Sequence, residues 1–309
     1  MPGFSASEAA LEGFRITREN PRAFGAWIGA TLLVNAISVV IDVFMPVSVK
    51  RGLESISAGD PLTGPQLLDA LFVSAPVILL GLAVLCVMAA AVYRVIFRHD
   101  DTRFGYLRLG ADELRLMGLT LIYIFLFICL VVAVGMGSGL FVALASLAGS
   151  AVQGVVGWLS LPISFGVILF VLVRLSLAPV ATFAEQRITI FESWTLTRGK
   201  FWPLAGAYAL AVCCIAVVGI LALVVFIALV GAIVVLAGGK LADVAAILNP
   251  KDPSLRSYLS FGLVASMMLS SVFSALWNAV IVSPGAVAYQ HLHGWPPPVQ
   301  PLTAQPEAG

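Results

Sequence analysis

Just before its first long apolar run the chain reads Glu12-Gly-Phe-Arg-Ile-Thr-Arg-Glu-Asn20, and just before its fifth it reads Glu192-Ser-Trp-Thr-Leu-Thr-Arg-Gly-Lys200. Both segments contain a glutamate, an aromatic residue two places later, an aliphatic residue two places further on, and then Thr-Arg. A weaker copy between them reads Gly105-Tyr-Leu-Arg-Leu-Gly-Ala-Asp-Glu113. Such self-similarity indicates repeated units, and it makes Glu192, Trp194 and Arg198 candidate structural or functional residues.

The composition indicates a membrane protein. Of the 309 residues, 60% are hydrophobic and only 11% are charged, and the mean hydropathy is +1.03. Soluble domains average about 45–50% apolar and about 25% charged residues. The net charge of +1 also argues against the basic surface that nucleic-acid binding requires, so no nucleic-acid partner is predicted.

Apolar runs of the length needed to cross about 30 Å of hydrocarbon predict six transmembrane helices. Helices are expected because lipid cannot satisfy the polar groups of an irregular backbone. The predicted fold class is therefore all-α, a polytopic membrane bundle. The expected spans are Ala23–Met45, Ala70–Tyr93, Leu116–Val134, Trp158–Phe183, Pro203–Val225 and Leu259–Val282.

The motif copies divide the chain into a threefold internal repeat, with units of about 1–97, 98–184 and 185–290. Each unit is predicted to contain a short interfacial amphipathic helix, a span out, a connection and a span back. Together they would form a single integral-membrane domain over 1–290, followed by a disordered Pro-rich tail over 291–309. The apolar stretch Gly135–Gly157 could extend a helix, form a re-entrant turn, or fold on the outer face.

The distribution of lysine and arginine predicts the orientation. Twelve of them fall on the side of the motif copies and five on the opposite side, which predicts that both termini lie on the cytoplasmic side of the membrane. Charged residues before the first apolar run, and the length of that run, indicate a retained helix rather than a cleaved signal.

Polar residues inside the spans form two stripes at helical spacing. Asn35, Ser38 and Asp42 share one face of the first span, and a serine stripe that ends at Asn278 follows one face of the sixth. Intramembrane polar groups are costly and are usually paired or functional. Two interpretations remain open, namely hydrogen bonding between helices and a pathway for a solute.

Arg94 and Arg174 lie near the cytoplasmic ends of the second and fourth spans. Their length lets the charged groups reach the membrane surface, so snorkelling is expected for both. As a further hypothesis, Glu185 would pair with Arg174 and hold the neighbouring amphipathic helix against the bundle.

No catalytic constellation is recognisable. The sequence lacks a nucleotide-binding glycine loop, a nucleophile elbow and a zinc-protease motif. His291 and His293 lack the nearby cysteine or carboxylate residues that a metal site requires. His99, which precedes Asp100 and Asp101, is interpreted as a solvated histidine beside a helix cap. We therefore predict no cofactor, no metal and no enzymatic activity.

Two segments together carry a resemblance to a family. Arg174-Leu-Ser-Leu-Ala-Pro179 and Glu192-Ser-Trp-Thr-Leu-Thr-Arg-Gly-Lys-Phe-Trp202 resemble a signature of uncharacterised bacterial multi-span proteins. The signature is similar to the membrane domain found with some glycerophosphodiester phosphodiesterases and their stand-alone relatives. The resemblance implies a multi-span fold in a bacterial inner (plasma) membrane. In that family a separate soluble barrel performs the hydrolysis, so no catalytic residue carries over to this sequence.

The sequence supports two hypotheses about the function. The first is a non-enzymatic accessory or scaffold component of envelope or lipid processes. Its partners would be the lipid bilayer and either anionic lipid head groups or another membrane protein, which the amphipathic helices would contact. The alternative is a transporter or channel subunit for a small solute or lipid. A third interpretation, a membrane enzyme that acts on lipids, is disfavoured because the sequence shows no evident proton-transfer pair at the membrane boundary.

The orientation is directly testable. Reporter tags placed before Phe24 and after Trp295 should report the same, cytoplasmic side, because an even number of spans returns the chain to its starting side. Tags that report opposite sides would contradict the six-span arrangement.

Overall fold

The computed structural model describes residues 5–46, 49–50, 64–98, 103–240, 244 and 260–293. The described residues are mostly helical and contain no β-strand. In chain order the α-helices are α1 (Ala6–Glu19), α2 (Pro21–Phe44), α3 (Gly64–Phe97), α4 (Ala111–Ser146), α5 (Ser150–Leu175), α6 (Ala178–Glu185), α7 (Glu192–Leu196), α8 (Phe201–Leu236) and α9 (Phe261–His293).

Six helical segments of the described chain are long and apolar enough to cross a membrane, which confirms the predicted class and the number of spans. They are Pro21–Phe44, Ser74–Phe97, Phe104–Ser146, Ser150–Glu185, Phe201–Leu236 and Phe261–His293. Each overlaps one predicted span. The predicted Pro-rich tail beyond His293 lies outside the described residues.

The stretch Gly135–Gly157 extends helices on both sides of a tight turn. Helix α4 continues to Ser146, and α5 begins at Ser150. Gly149 lies in the turn with a φ of +114°, a conformation that glycine adopts without steric cost. Of the three arrangements considered for this stretch, the helical extension is therefore the observed one.

The outward faces of these helices are apolar. Trp158 of α5 is 80% exposed, and Phe125 of α4 and Phe165 of α5 are also largely exposed. Soluble monomers rarely expose contiguous apolar surface on this scale. A lipid environment accounts for the exposure, because hydrocarbon solvates these side chains.

The chain forms two compact units. The first comprises residues 1–12, 109–210 and 282–309. Within it, α4 and α5 pack side by side as a hairpin. Its buried core is formed by apolar residues of α5, α8 and α9 and of the turn after α5, namely Val173, Leu177, Leu204 and Ala288.

The second unit comprises residues 13–108 and 211–281. Its largest fully buried side chain is Trp27 of α2, which has no exposed surface. The Trp27 indole N–H donates to the Gly105 carbonyl oxygen at 2.8 Å. The unit boundaries do not coincide with the three predicted repeats, whose equivalence stays a prediction.

The middle motif copy differs from the expected separate amphipathic helix. Residues Arg103–Tyr106 form a short 3-10 helix, and the end of the copy belongs to the first turn of α4. Phe104, Gly105 and Tyr106 all have positive φ angles. An ideal Cβ on Gly105 would lie 2.7 Å from the Ala26 Cβ and 3.0 Å from the Ala23 Cα, so the close packing against α2 requires glycine at this position.

Gly13 in the first motif copy permits a close helix contact within the second unit. An ideal Cβ at this position would lie 2.5 Å from the Val280 Cα and 2.6 Å from the Ala279 carbonyl oxygen. Both are backbone atoms of α9, so they cannot move aside as a flexible side chain would.

The contact predicts a stability difference between two glycine substitutions. Gly13→Ala should lower the free energy of unfolding by about 1–3 kcal/mol, because the added methyl group overpacks the α1–α9 contact. Gly25→Ala is the matched control, since nothing lies within 4 Å of its ideal Cβ. Denaturation of both variants in mild detergent measures the difference, and equal stability would show that the close contact is absent.

Candidate functional site

Span four breaks at a proline, and the break exposes a backbone acceptor. Pro179 lies in the first turn of α6 and has no N–H to donate to the Leu175 carbonyl oxygen four residues earlier. The Tyr123 hydroxyl of α4 supplies the missing donor at 2.8 Å. The side chain of a neighbouring helix thus satisfies the acceptor that the proline leaves free.

The third motif copy satisfies the other side of the same break. The Ser193 hydroxyl donates to the Arg174 carbonyl oxygen at 2.7 Å and accepts from the Leu177 N–H at 3.2 Å. Ser193 is fully buried. The two halves of the signature described above therefore contact each other, and the motif serine joins the helix ends across the break.

The Arg174 guanidinium lies against two aromatic rings. The carbon of its guanidinium lies 5.3 Å from the centre of the Phe170 ring and 5.4 Å from that of Trp194. A terminal nitrogen lies 3.4 Å from the Thr197 hydroxyl. Cation–π contacts contribute about 0.5–2 kcal/mol each. Trp194 and Arg174, both candidates from the sequence, are thus brought together in one structural cluster.

The second motif copy contacts Arg94 within the second unit. Its guanidinium donates to the Tyr106 carbonyl oxygen at 2.9 Å. Arg94 is only 4% exposed, so the expectation that it snorkels is wrong. Two carbonyl oxygens of the turn at Gly105 accept hydrogen bonds, that of Gly105 from Trp27 and that of Tyr106 from Arg94.

The predicted pairing of Arg174 with Glu185 is also wrong. Glu185 forms an ion pair with Arg187 at 2.8 Å, and Arg187 also contacts Glu192 at 3.2 Å. The hydrogen bond to Glu185, together with the charges of Glu185 and Glu192, raises the pKa of Arg187 above its ordinary value. Arg198 is exposed.

Two of the remaining candidates, Asn35 and Asp42, line a polar cavity of about 380 Å³ in the second unit. Ser38 of α2 and Ser266 and Ser270 of α9 complete its polar lining. Parts of the two predicted stripes therefore face each other. Because 41% of the Asp42 side chain is exposed, the cavity opens at the end of α2.

Hydrogen bonds between α2 and α9 flank this cavity. The Asn35 side-chain amide donates to the Ser271 hydroxyl at 2.9 Å, and the buried Thr31 hydroxyl lies 3.0 Å from the Ser271 carbonyl oxygen. Asn278 takes no part, since its amide donates to the Ser274 carbonyl oxygen of its own helix at 2.9 Å.

An apolar cavity of about 480 Å³ shares Ser266 and Ser270 with the polar cavity. Its other lining comes mainly from α8 and α9 and includes Gly219, Ala222, Leu223, Phe226 and Phe273. Leu223 is 51% exposed, so this cavity is accessible from the lipid-facing surface. We call the two adjoining cavities, both in the second unit, the paired cavity.

Sequence reasoning missed several residues of this region. Ser271 lies one position from the predicted stripe, and its role depends on the rotation of α9 against α2. The Lys50 ammonium lies 3.6 Å from the Asp42 carboxylate. The short distance in the chain between Lys50 and the end of α2 was the one signal in the sequence for this pairing. No signal in the sequence indicated that Gly219 and Phe273 would line a cavity.

No protein-family model, curated protein or solved structure matches the chain. The resemblance to the membrane domain of glycerophosphodiester phosphodiesterases therefore stays an expectation from the signature residues.

Ser193 provides a test of the structural role of the motif. Ser193→Ala should lower the free energy of unfolding by about 1–3 kcal/mol, because it leaves the buried Leu177 N–H without an acceptor. Ser138→Ala is the matched control, since the exposed Ser138 hydroxyl contacts only the Gly135 carbonyl oxygen of its own helix. Thermal unfolding in detergent compares the two variants, and equal melting temperatures would contradict this role.

Proposed function

We propose that the protein is a non-enzymatic accessory component of lipid or envelope processes, and that it binds an amphiphilic molecule of the membrane in the paired cavity. The single observation that carries the proposal is the junction of a polar and an apolar cavity at Ser266 and Ser270. The absence of a recognisable catalytic motif in the sequence supports a binding role.

The two cavities differ in chemistry in the way that the two ends of an amphiphile differ. Hydroxyl, amide and carboxylate groups line the polar cavity, whereas aliphatic and aromatic side chains dominate the apolar one. Each volume falls within the range of about 300–1,000 Å³ typical of small-molecule sites. An amphiphile would match both linings if its head group lay in the polar cavity and part of its hydrocarbon chain lay in the apolar cavity.

The position along the spans supports a membrane amphiphile. Asp42 lies in the last turn of α2, which ends at Phe44, so the polar cavity is near the end of a predicted span. Lipid head groups occupy the same level of a bilayer. The apolar cavity extends from Ser266 towards Leu223 and Phe226, which belong to the apolar middle of α8.

The alternative, a pathway for a hydrophilic solute, has less support. A pathway needs polar groups along the whole length of the spans. Beyond Asn35, the facing helices pack through the buried Trp27, Ala275 and Ala279, and Asn278 bonds to its own helix. Within the described part of the second unit, the polar lining therefore stops near Ser271.

A cavity-filling substitution tests the proposal. Ala222→Phe places a ring in the apolar cavity, so the purified protein should retain a lipid-sized molecule several-fold less often than the unmodified protein. Ala228→Phe is the matched control, because Ala228 is exposed on the same helix and does not line the cavity. Native mass spectrometry from mild detergent measures the bound fraction.

Equal retention by both variants, or no retained lipid on the unmodified protein, would contradict the proposal. Flux of a hydrophilic solute through proteoliposomes, abolished by Asn35→Leu, would instead favour the transporter alternative.

A further inference from the structure

The polar half of the paired cavity offers both hydrogen-bond acceptors and donors. One Asn35 amide hydrogen bonds to the Ser271 hydroxyl, which leaves the Asn35 carbonyl oxygen as an acceptor, and the hydroxyl groups of Ser38 and Ser270 also line the cavity. The Ser266 hydroxyl donates to the Leu263 carbonyl oxygen at 2.8 Å, so its oxygen can only accept. An ionised Asp42 carboxylate is acceptor-only. A complementary ligand therefore brings donors for the Asp42 and Asn35 oxygens and acceptors for the serine hydroxyl groups.

The charges at the opening of the polar cavity restrict the class of ligand further. The Asp42 carboxylate faces the Lys50 ammonium at 3.6 Å, and their side chains are 41% and 21% exposed. Such partly exposed pairs contribute little, about 0–1 kcal/mol, so a ligand can replace this contact at small cost. The contact itself shows that a primary ammonium fits beside Asp42.

A ligand ammonium at Asp42 would leave the Lys50 ammonium available for an anion. Lysine binds phosphate as a point charge, and the two side chains are close enough to serve neighbouring groups of one molecule. A head group that carries a primary ammonium next to a phosphate complements both charges at once.

We propose that the paired cavity binds a phospholipid with a primary-ammonium head group, of the phosphatidylethanolamine type. The ammonium contacts Asp42 and the acceptor oxygens of Asn35 and Ser266, the phosphate contacts Lys50, and one acyl chain occupies the apolar cavity. This inference rests on the proposed function and specifies its ligand class.

Two competing head groups fit less well. A quaternary ammonium has no N–H to donate and is usually recognised by aromatic cages, whereas none of the residues that line the polar cavity is aromatic. An anionic head group without an ammonium can contact Lys50, but it has no cationic group to take the place of Lys50 beside the Asp42 carboxylate. The expected order of affinity is therefore phosphatidylethanolamine first, with phosphatidylcholine and phosphatidylglycerol both weaker.

Lipid titration of the detergent-purified protein, followed by native mass spectrometry, tests this order with three lipids of identical acyl chains. Asp42→Asn should weaken phosphatidylethanolamine binding roughly tenfold, because a charge-assisted hydrogen bond is lost, and should remove the preference over phosphatidylcholine. Lys50→Ala should weaken both of these phospholipids. Asp112→Asn and Lys200→Ala are matched controls outside the second unit and should change neither affinity.

The unmodified protein supplies a test that does not depend on the folding of a variant. Stepwise N-methylation of phosphatidylethanolamine removes one donor at a time and should lower the affinity at each step. A flat methylation series, or a preference for phosphatidylglycerol, would overturn the head-group inference. If lipid retention still falls in Ala222→Phe, the proposed function survives that result. If Ala222→Phe and Ala228→Phe retain lipid equally, the proposed function fails as well.

Discussion

Backbone groups that are freed inside a membrane have no water to bond to, and this constraint organises the structure around span four. Pro179 removes the helical donor for the Leu175 carbonyl oxygen, and the Tyr123 hydroxyl replaces it at 2.8 Å. Ser193 bonds to both sides of the adjacent break. Because an unsatisfied polar group in hydrocarbon costs several kcal/mol, the proline and the motif serine are parts of one arrangement.

The three motif copies share a packing rule. The first copy lies against α9 through Gly13, the second holds Arg94 of α3, and the third holds Arg174 of α5. The second and third copies thus contact the returning span of the preceding hairpin, and the first copy contacts the returning span of the last hairpin. A threefold repeat would be expected to show this rule, although the chemistry of the three contacts differs.

Most of the residues that attract attention in the sequence have structural roles. Arg94, Arg174 and Trp194 hold helix ends together, and Glu192 belongs to an ion-pair cluster with Arg187. The polar groups that line the polar cavity lie towards the end of α2 and the start of α9. This division of roles directs the search for function to the paired cavity, where polar and apolar linings adjoin at two serines.

The sequence by itself determined the membrane class, the number of spans and their approximate positions, because the length and composition of an apolar run are local properties of the chain. It also located Asn35, Asp42, Arg174 and Trp194. Only the tertiary structure decided which of these groups meet. Asn35 bonds to Ser271 and not to Asn278, and Glu185 contacts Arg187 rather than Arg174, because side-chain pairing depends on the rotation and register of packed helices. The contact of Gly13 with α9 depends on the same rotation and register, and no local pattern in the sequence encodes which backbone atoms a glycine will meet.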